Sequence, residues 1–86
     1  MAYEAIWHEG SLEDLERFDR TIAQKIVEKV KNYLTQDPER LGIPLKGNLK
    51  GLYRYRIGDY RVIYVIDQEE KKVMILKVNH RKKVYK

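Results

Sequence analysis

The segment Leu52–Tyr64, with the sequence LYRYRIGDYRVIY, predicts a β-hairpin. It is rich in tyrosine and β-branched residues, which favour strands. Gly58-Asp59 fits the two-residue loop of a type II′ turn, in which glycine takes the first central position. That turn fixes the register of the two strands, and the predicted cross-strand pairs are Ile57 with Tyr60, Arg56 with Arg61, Tyr55 with Val62 and Arg54 with Ile63.

Alternation along the hairpin separates its side chains onto two faces. Arg56 lies opposite Arg61, and like charges paired across strands destabilise a sheet by up to about 1 kcal/mol. We therefore expect this cluster to meet a polyanion; the alternative is pairing with acidic side chains from elsewhere in the chain. The face predicted to pack on helices is Tyr53, Tyr55, Ile57, Tyr60, Val62 and Tyr64. The opposite face is Leu52, Arg54, Arg56, Arg61, Ile63 and Val65.

The second half of the chain is strongly basic. Residues 44–86 hold 12 Lys/Arg against 4 Asp/Glu, whereas residues 1–43 hold 6 against 9, and the formal net charge of the chain is +5. A basic half of this kind is typical of a protein that binds a phosphate-rich or acidic partner. The alternative is a surface that only aids solubility.

Size and composition exclude several classes of protein. A chain of 86 residues, 43% hydrophobic and 36% charged, suits one folded domain, which we assign to residues 1–86. No apolar run approaches the roughly 18 residues of a membrane span. The N-terminus has no basic start followed by an apolar stretch, so we expect no secretory signal. The lack of cysteine removes disulfide and thiolate chemistry and is compatible with a cytoplasmic protein.

Outside the hairpin, the sequence predicts two further strands and two helices. Ala2–Trp7 has the residues of a strand. Ser11–Asp14 and Thr21–Gln24 each resemble a capping box, and they predict the starts of a helix of about two turns and a helix of about four turns. Pro38–Gly51 is predicted to be a loop that touches the core intermittently. Lys72–Asn79 is the final predicted strand.

These elements predict an α+β fold with the order β-α-α-β-β-β. The last three strands form an antiparallel meander, and the two N-terminal helices pack on one face of the sheet, leaving the other face to a partner. The second helix supplies the apolar stripe Ile22, Ala23, Ile26, Val27, Val30, Tyr33 and Leu34. Regular alternation in the final strand assigns to the arginine face Val73, Ile75, Lys77, Asn79 and Arg81. It assigns to the helix face Met74, Leu76, Val78 and His80.

Two segments together, LKGLYRYRIGDYRVIYVID from Leu49 and ILKVNHRKKVY from Ile75, resemble the RelE branch of the RelE/ParE toxin superfamily. These proteins are the toxin halves of toxin–antitoxin pairs. The resemblance implies two helices on one face of a mainly antiparallel sheet. It also implies cleavage of mRNA in the ribosomal A site without a metal ion or other cofactor, and a cognate antitoxin that covers the basic site.

The resemblance also implies roles for individual residues. Arg61 matches the arginine that holds the phosphate in the transition state, and Arg81 matches a second one, on the phosphate or leaving group. Tyr85 matches a C-terminal tyrosine that exchanges protons or stacks on a base, and Arg54 matches a basic position that supports charge or proton transfer. Contacts to the RNA backbone or ribosome are assigned to Arg56, Lys46, Lys50, Lys77, Lys82 and Lys83.

Several alternatives stay open at this point. A ParE-like DNA gyrase inhibitor would use the same scaffold without nuclease activity, and a plain RNA-binding module would not need Tyr85. The general base is open as well, because arginine hardly deprotonates. His80 titrates near neutrality, but regular alternation points it towards the helices. The sequence contains no metal-ligand cluster, glycine-rich phosphate loop or Ser/His/Asp set, so we expect no small-molecule cofactor and no membrane partner.

Overall fold

The computed structural model of the protein describes residues 2–80. These residues form a five-stranded sheet with the order β1-β5-β4-β3-β2, in which β1 is parallel to β5 and the other pairs are antiparallel. The predicted α+β class and its mainly antiparallel sheet are confirmed. The strands are β1 (Glu4–Trp7), β2 (Ile43–Pro44), β3 (Tyr53–Ile57), β4 (Tyr60–Asp67) and β5 (Lys72–His80). The helices are α1 (Glu9–Glu16), α2 (Arg20–Asn32) and α3 (Pro38–Leu41), and two 3₁₀ turns cover Leu34–Gln36 and Gly47–Leu49.

The β3–β4 hairpin has the predicted turn and register. Gly58 has φ 58°, the left-handed conformation that the first central position of a type II′ turn requires. Arg56 lies opposite Arg61 and Ile57 opposite Tyr60. The backbone register of the hairpin therefore places Arg56 and Arg61 side by side.

The core lies between α2 and one face of the sheet, as the apolar stripe predicts. Ile26 and Val30 of α2 and Leu34 just after it are almost fully buried. Tyr33, which the stripe also includes, is instead 54% exposed, because α2 ends at Asn32 and the chain tightens into a 3₁₀ turn. The sheet contributes to this core Ile57, Val62, Tyr64, Val73, Ile75 and Val78.

A β-bulge in β5 makes the predicted alternation of that strand wrong in its first half. Ile63 pairs with Lys77 but Tyr64 pairs with Ile75, so Leu76 is an extra residue between them. Val73 and Ile75, predicted on the arginine face, are therefore fully buried on the helix face. Beyond the bulge the prediction is right, because Val78 and His80 are on the helix face while Lys77 and Asn79 are on the open one.

The helix starts also differ from the sequence prediction. α1 begins at Glu9, so Ser11 is not its N-cap but a fully buried residue whose hydroxyl donates to the His8 carbonyl over 2.6 Å. α2 begins at Arg20, and its N-cap residue Asp19 makes no side-chain capping bond. Both predicted capping boxes are therefore wrong. Ser11 and Thr21 lie within the first turns of their helices, where the same residue types and spacing also occur.

The predicted loop Pro38–Gly51 contains α3, β2 and a 3₁₀ turn. Its anchor is the Tyr64 hydroxyl, which is buried and donates to the Pro38 carbonyl over 2.7 Å. Gly42 passes so close to that hydroxyl that an added Cβ would lie 1.8 Å from its oxygen. The tyrosine therefore fixes the path of the chain from α3 into β2.

The end of β5 is held by a side chain of α1. β1 pairs with β5 only as far as Ile75, so the N–H of Val78 has no strand partner on that side. The buried carboxylate of Asp14 accepts from this N–H over 2.8 Å. Asp14 thus completes the hydrogen bonding of β5 at Val78. The two residues that flank Val78, Lys77 and Asn79, face the open side of the sheet.

Replacing the Tyr64 hydroxyl should destabilise the fold. We expect Tyr64→Phe to lower the free energy of unfolding by about 1–3 kcal/mol, because the buried Pro38 carbonyl loses its short hydrogen bond and keeps only the 3.4 Å bond from the Gly42 N–H. Urea denaturation measures this loss. Tyr33→Phe, at an exposed tyrosine, is the matched control and should stay within about 0.5 kcal/mol of the wild type. Equal stability of both variants would contradict the anchoring role.

Removing the Asp14 carboxylate should loosen the end of β5. We expect Asp14→Ala to lower the free energy of unfolding by about 1–3 kcal/mol, because the Val78 N–H is left buried and unpaired. Amide hydrogen exchange at Val78 should accelerate more than exchange at the centre of β4. Glu13→Ala, at the exposed neighbouring residue, is the control. Unchanged protection of the Val78 amide would rule out the bond.

Candidate functional site

An apolar groove of about 490 Å³ lies on the open face of the sheet. It runs between β3, β4 and β5 and the segment that precedes β3. Its polar lining residues are Arg54, Arg61, Lys77 and Asn79. Its apolar lining consists of Leu45, Leu49, Leu52, Ile63 and Leu76. The groove therefore offers an apolar surface and a basic rim to the same ligand.

A smaller pocket of about 240 Å³ adjoins this groove at the edge of the sheet. We call it the edge pocket, and it is lined by Leu41, Ile43, Arg54, Tyr55, Arg56 and Arg61. Arg54 and Arg61 line both concavities, so the two guanidinium groups form a ridge between them. Among residues 2–80, neither lining includes an acidic side chain, and the surface on both sides of the ridge is therefore suited to an anion.

The structure brings together four of the residues that the sequence singled out. Arg54 and Arg61 are half-buried, while Arg56 is exposed and its Nε donates to the Gly58 carbonyl over 3.1 Å. Lys77 is opposite Ile63 on β4.

Lys46 and Lys50 are less closely connected with the ridge. Both are exposed, and they flank the 3₁₀ turn Gly47–Leu49. Their neighbours Leu45 and Leu49 line the groove, but the two lysines themselves do not. They extend the basic surface outward from the groove without contributing to its wall.

His80 lies on the opposite side of the sheet from the ridge. It pairs with Tyr60 across the strands, and its imidazole meets the Tyr60 ring edge-on at a centroid distance of 4.9 Å. The Tyr60 ring also packs edge-on against Phe18, with their ring centroids 4.9 Å apart. His80 thus belongs to an aromatic cluster on the helix face, which gives it a structural role and separates it from the arginines.

The surroundings of two hairpin tyrosines raise the pKa of their hydroxyls above the ordinary value. Burial raises the pKa of Tyr55, and the nearby Tyr33 hydroxyl raises it further. Burial likewise raises the pKa of Tyr64, with smaller contributions from Tyr53 and Tyr55. The Tyr55 side chain packs against the core on the helix face, on the opposite side of β3 from Arg54 and Arg56.

The remaining predicted site residues, Arg81, Lys82, Lys83 and Tyr85, lie outside the described residues. Among residues 2–80, no three His, Asp or Glu side chains are grouped closely enough to hold a metal ion. None of the helices in that part of the chain is long and apolar enough to cross a membrane.

The sequence prediction missed several of the leucines that build the groove. Leu45 and Leu49 were expected to touch the core from a loop, but they line the groove on the open face instead, and Leu49 is 51% exposed. Leu52 was predicted on the arginine face and does line the groove there. Leu76 was expected on the helix face and reaches the groove through the bulge. The sequence did offer one signal. Leu41, Leu45 and Leu49 recur every four residues in a segment otherwise rich in glycine, proline and lysine.

Comparison with known proteins assigns this architecture to a family. Residues 5–85 match the family model described as ParE toxin of type II toxin–antitoxin system, parDE. The chain is 42% identical over 73 residues to Toxin RelE of Mycobacterium tuberculosis, a match that covers 85% of this chain and 75% of that protein.

Solved structures agree with this assignment. The toxin–antitoxin complex RelBE2 of Mycobacterium tuberculosis contains a chain with a TM-score of 0.90 and 34% identity, covering 94% of this chain and 100% of that one. The archaeal RelE–RelB complex of Pyrococcus horikoshii OT3 gives a TM-score of 0.71 and 29% identity, covering 94% and 97%. The chain therefore belongs to the RelE/ParE superfamily, as a RelE-type toxin of a type II toxin–antitoxin system.

Proposed function

We propose that this toxin is a metal-independent endoribonuclease that cleaves mRNA in the ribosomal A site. The observation that carries the proposal is the ridge of Arg54 and Arg61 between two concavities, with Lys77 on the same face. Guanidinium groups bind phosphate through a fixed fork of donors, so two of them on one open face suit an RNA backbone. The activity is cytoplasmic, because mRNA on the ribosome is its substrate.

The proposed reaction is attack by a ribose 2′-hydroxyl on its own neighbouring phosphate. The new O–P bond forms as the bond to the 5′-oxygen breaks, so one proton leaves the 2′-oxygen and one is gained by the 5′-oxygen. Negative charge builds on the phosphorane, and Arg61 stabilises it. Arg54 supports charge or proton transfer beside it. The identity of the general base is open, and the contact of His80 with Tyr60 on the helix face counts against that role for His80.

The C-terminal segment supplies the rest of the proposed site. Arg81 acts on the phosphate or leaving group, and Tyr85 exchanges a proton or stacks on a base. Both assignments rest on the match to the family motif. Contacts to the RNA backbone and the ribosome are assigned to Arg56, Lys46, Lys50, Lys77, Lys82 and Lys83.

The partner that restrains this activity is a cognate antitoxin. Two of the solved relatives are complexes of a toxin with its antitoxin. The groove has an apolar lining and a basic rim, which suits an amphipathic segment with leucine-like and acidic side chains. Such a segment would cover Arg54 and Arg61 and exclude RNA from the ridge.

Mapping of mRNA 5′ ends on ribosomes tests the nuclease function. Induced expression of the wild type should produce new 5′ ends aligned with codons. We expect Arg61→Ala to reduce their yield by about 100-fold or more, because a charged group that stabilises the transition state is lost. Arg81→Ala and Tyr85→Phe should reduce it too. Arg40→Ala, at an exposed arginine of α3, is the control and should cleave like the wild type.

Two other outcomes would contradict the proposal. Growth arrest with intact mRNA and damaged DNA would indicate a ParE-like gyrase inhibitor. Tight RNA binding without new 5′ ends, unaffected by Tyr85→Phe, would indicate a binding module without chemistry.

The like-charge pair in the hairpin predicts a conflict between stability and function. We expect Arg56→Glu to raise the free energy of unfolding by about 0.2–1 kcal/mol, because an attraction to Arg61 replaces a repulsion. RNA affinity should fall in the same variant. Urea denaturation and RNA binding measure the two effects.

The matched control for that prediction is Arg56→Gln, which removes the repulsion without adding an attraction and should be intermediate. At about 1 M salt, where the screening length is about 3 Å, the stability difference should shrink. A less stable Arg56→Glu protein with unchanged RNA affinity would contradict both the pairing effect and the RNA contact.

A further inference from the structure

The start of α1 runs along the edge of β5 at the bulge. The N–H of His8, the residue before α1, donates to the Ile75 carbonyl over 2.9 Å. Gly10, in the first turn of α1, packs so closely that an added Cβ would lie 3.3 Å from the carbonyl oxygen of Leu76. The bulged residue of β5 and the residue before it therefore both adjoin this part of the chain.

Asp14, one turn further along α1, binds β5 on the other side of the bulge. Its side chain is buried, and its carboxylate accepts from the Val78 N–H over 2.8 Å. The same carboxylate also lies 3.7 Å from the guanidinium of Arg17, whose side chain is exposed. Because an ion pair with an exposed partner contributes little, the bond to Val78 is the contact through which Asp14 acts on the sheet.

The segment of β5 that α1 holds carries two side chains of the open face. Val78 lies between Lys77 and Asn79, and both of these neighbours line the groove. Asn79 pairs with Arg61 across the strands, and Lys77 pairs with Ile63. Because the backbone sets where the side chains of a strand stand, a shift at Val78 moves both neighbours relative to Arg61.

We propose that Asp14 is a positioning residue for the proposed RNA cleavage. Asp14 lines neither the groove nor the edge pocket. It acts through the Val78 N–H, which fixes the end of β5 and so keeps Lys77 and Asn79 in place beside Arg61. A displacement of about 1 Å caused far from the chemistry can slow a reaction about 100-fold, so this bond contributes to catalysis without touching RNA. This inference rests on the proposed endoribonuclease function.

Single-turnover cleavage of mRNA on programmed ribosomes tests this role with the full-length toxin in excess. We expect Asp14→Ala to lower the rate constant at saturating toxin by about tenfold or more, because the end of β5 is no longer fixed. The half-saturating toxin concentration should change by less than about threefold, since the positive charges that bind RNA remain. Asp14→Asn keeps an oxygen acceptor for the Val78 N–H and should restore most of the wild-type rate.

Two controls separate positioning from a general loss of stability. Ile26→Val removes a methyl group from the core beneath α2 and so destabilises the fold without changing α1. Arg17→Ala breaks the ion pair but keeps the carboxylate of Asp14. Both controls should cleave at the wild-type rate at a temperature where every variant is folded.

A second variant repeats the test if Asp14→Ala does not fold. Gly10→Ala keeps Asp14, but its new Cβ presses on the Leu76 carbonyl and displaces the bulge. We expect this variant to lower the rate constant by about threefold or more, because the displacement is a few tenths of an ångström.

Three results would overturn the positioning role. The first is a wild-type rate for folded Asp14→Ala, and the second is an equal loss of rate in Ile26→Val. The third is an Asp14→Asn protein as slow as Asp14→Ala, which would assign the effect to the charge of the carboxylate and not to its hydrogen bond.

NMR distinguishes failure of this inference from failure of the nuclease function. The backbone amide shifts of Lys77 and Asn79 should move in Asp14→Ala and stay close to the wild type in Asp14→Asn, whether or not the protein cleaves RNA. Unmoved shifts in Asp14→Ala would contradict the positioning of β5. A wild type that yields no new mRNA 5′ ends would contradict the nuclease function instead.

Discussion

The bulge between β4 and β5 is the constraint on which both faces of the sheet depend. A regular β5 that buried Ile75 beside Tyr64 would also bury Lys77, because side chains two residues apart share a face. The extra residue Leu76 shifts the alternation, so that Ile75 stays in the core while Lys77 reaches the open face. One bulged residue therefore allows β5 to bury apolar side chains on one face and to expose a basic side chain on the other.

The hydrogen bond from Val78 to Asp14 maintains this arrangement beyond the bulge. α1 covers the part of β5 that β1 leaves unpaired, and its carboxylate replaces the missing strand. The face of α1 that packs on the sheet accordingly includes buried Ser11 and Asp14, while Leu12 is half-exposed. Buried polar groups of this kind are tolerated because each has a partner.

The open face of the sheet carries several positive charges that take no part in the core. Arg56 lies opposite Arg61, and burial of the core holds the two strands in register. In the proposed function, RNA phosphate supplies the compensating charge, and the antitoxin competes for the same surface.

The sequence by itself determined the parts of this protein that depend on local patterns. Gly58 set the hairpin turn and its register, and the stripe through Ile26 and Val30 set the core helix, because turn conformation and helical periodicity act over a few residues. Only the tertiary structure decided the bulge at Leu76 and the anchoring of the chain by Tyr64. Both depend on contacts between distant segments, and neighbouring residues carry no pattern that specifies them. The arginines of the ridge were therefore predictable, whereas the concavities beside them were not.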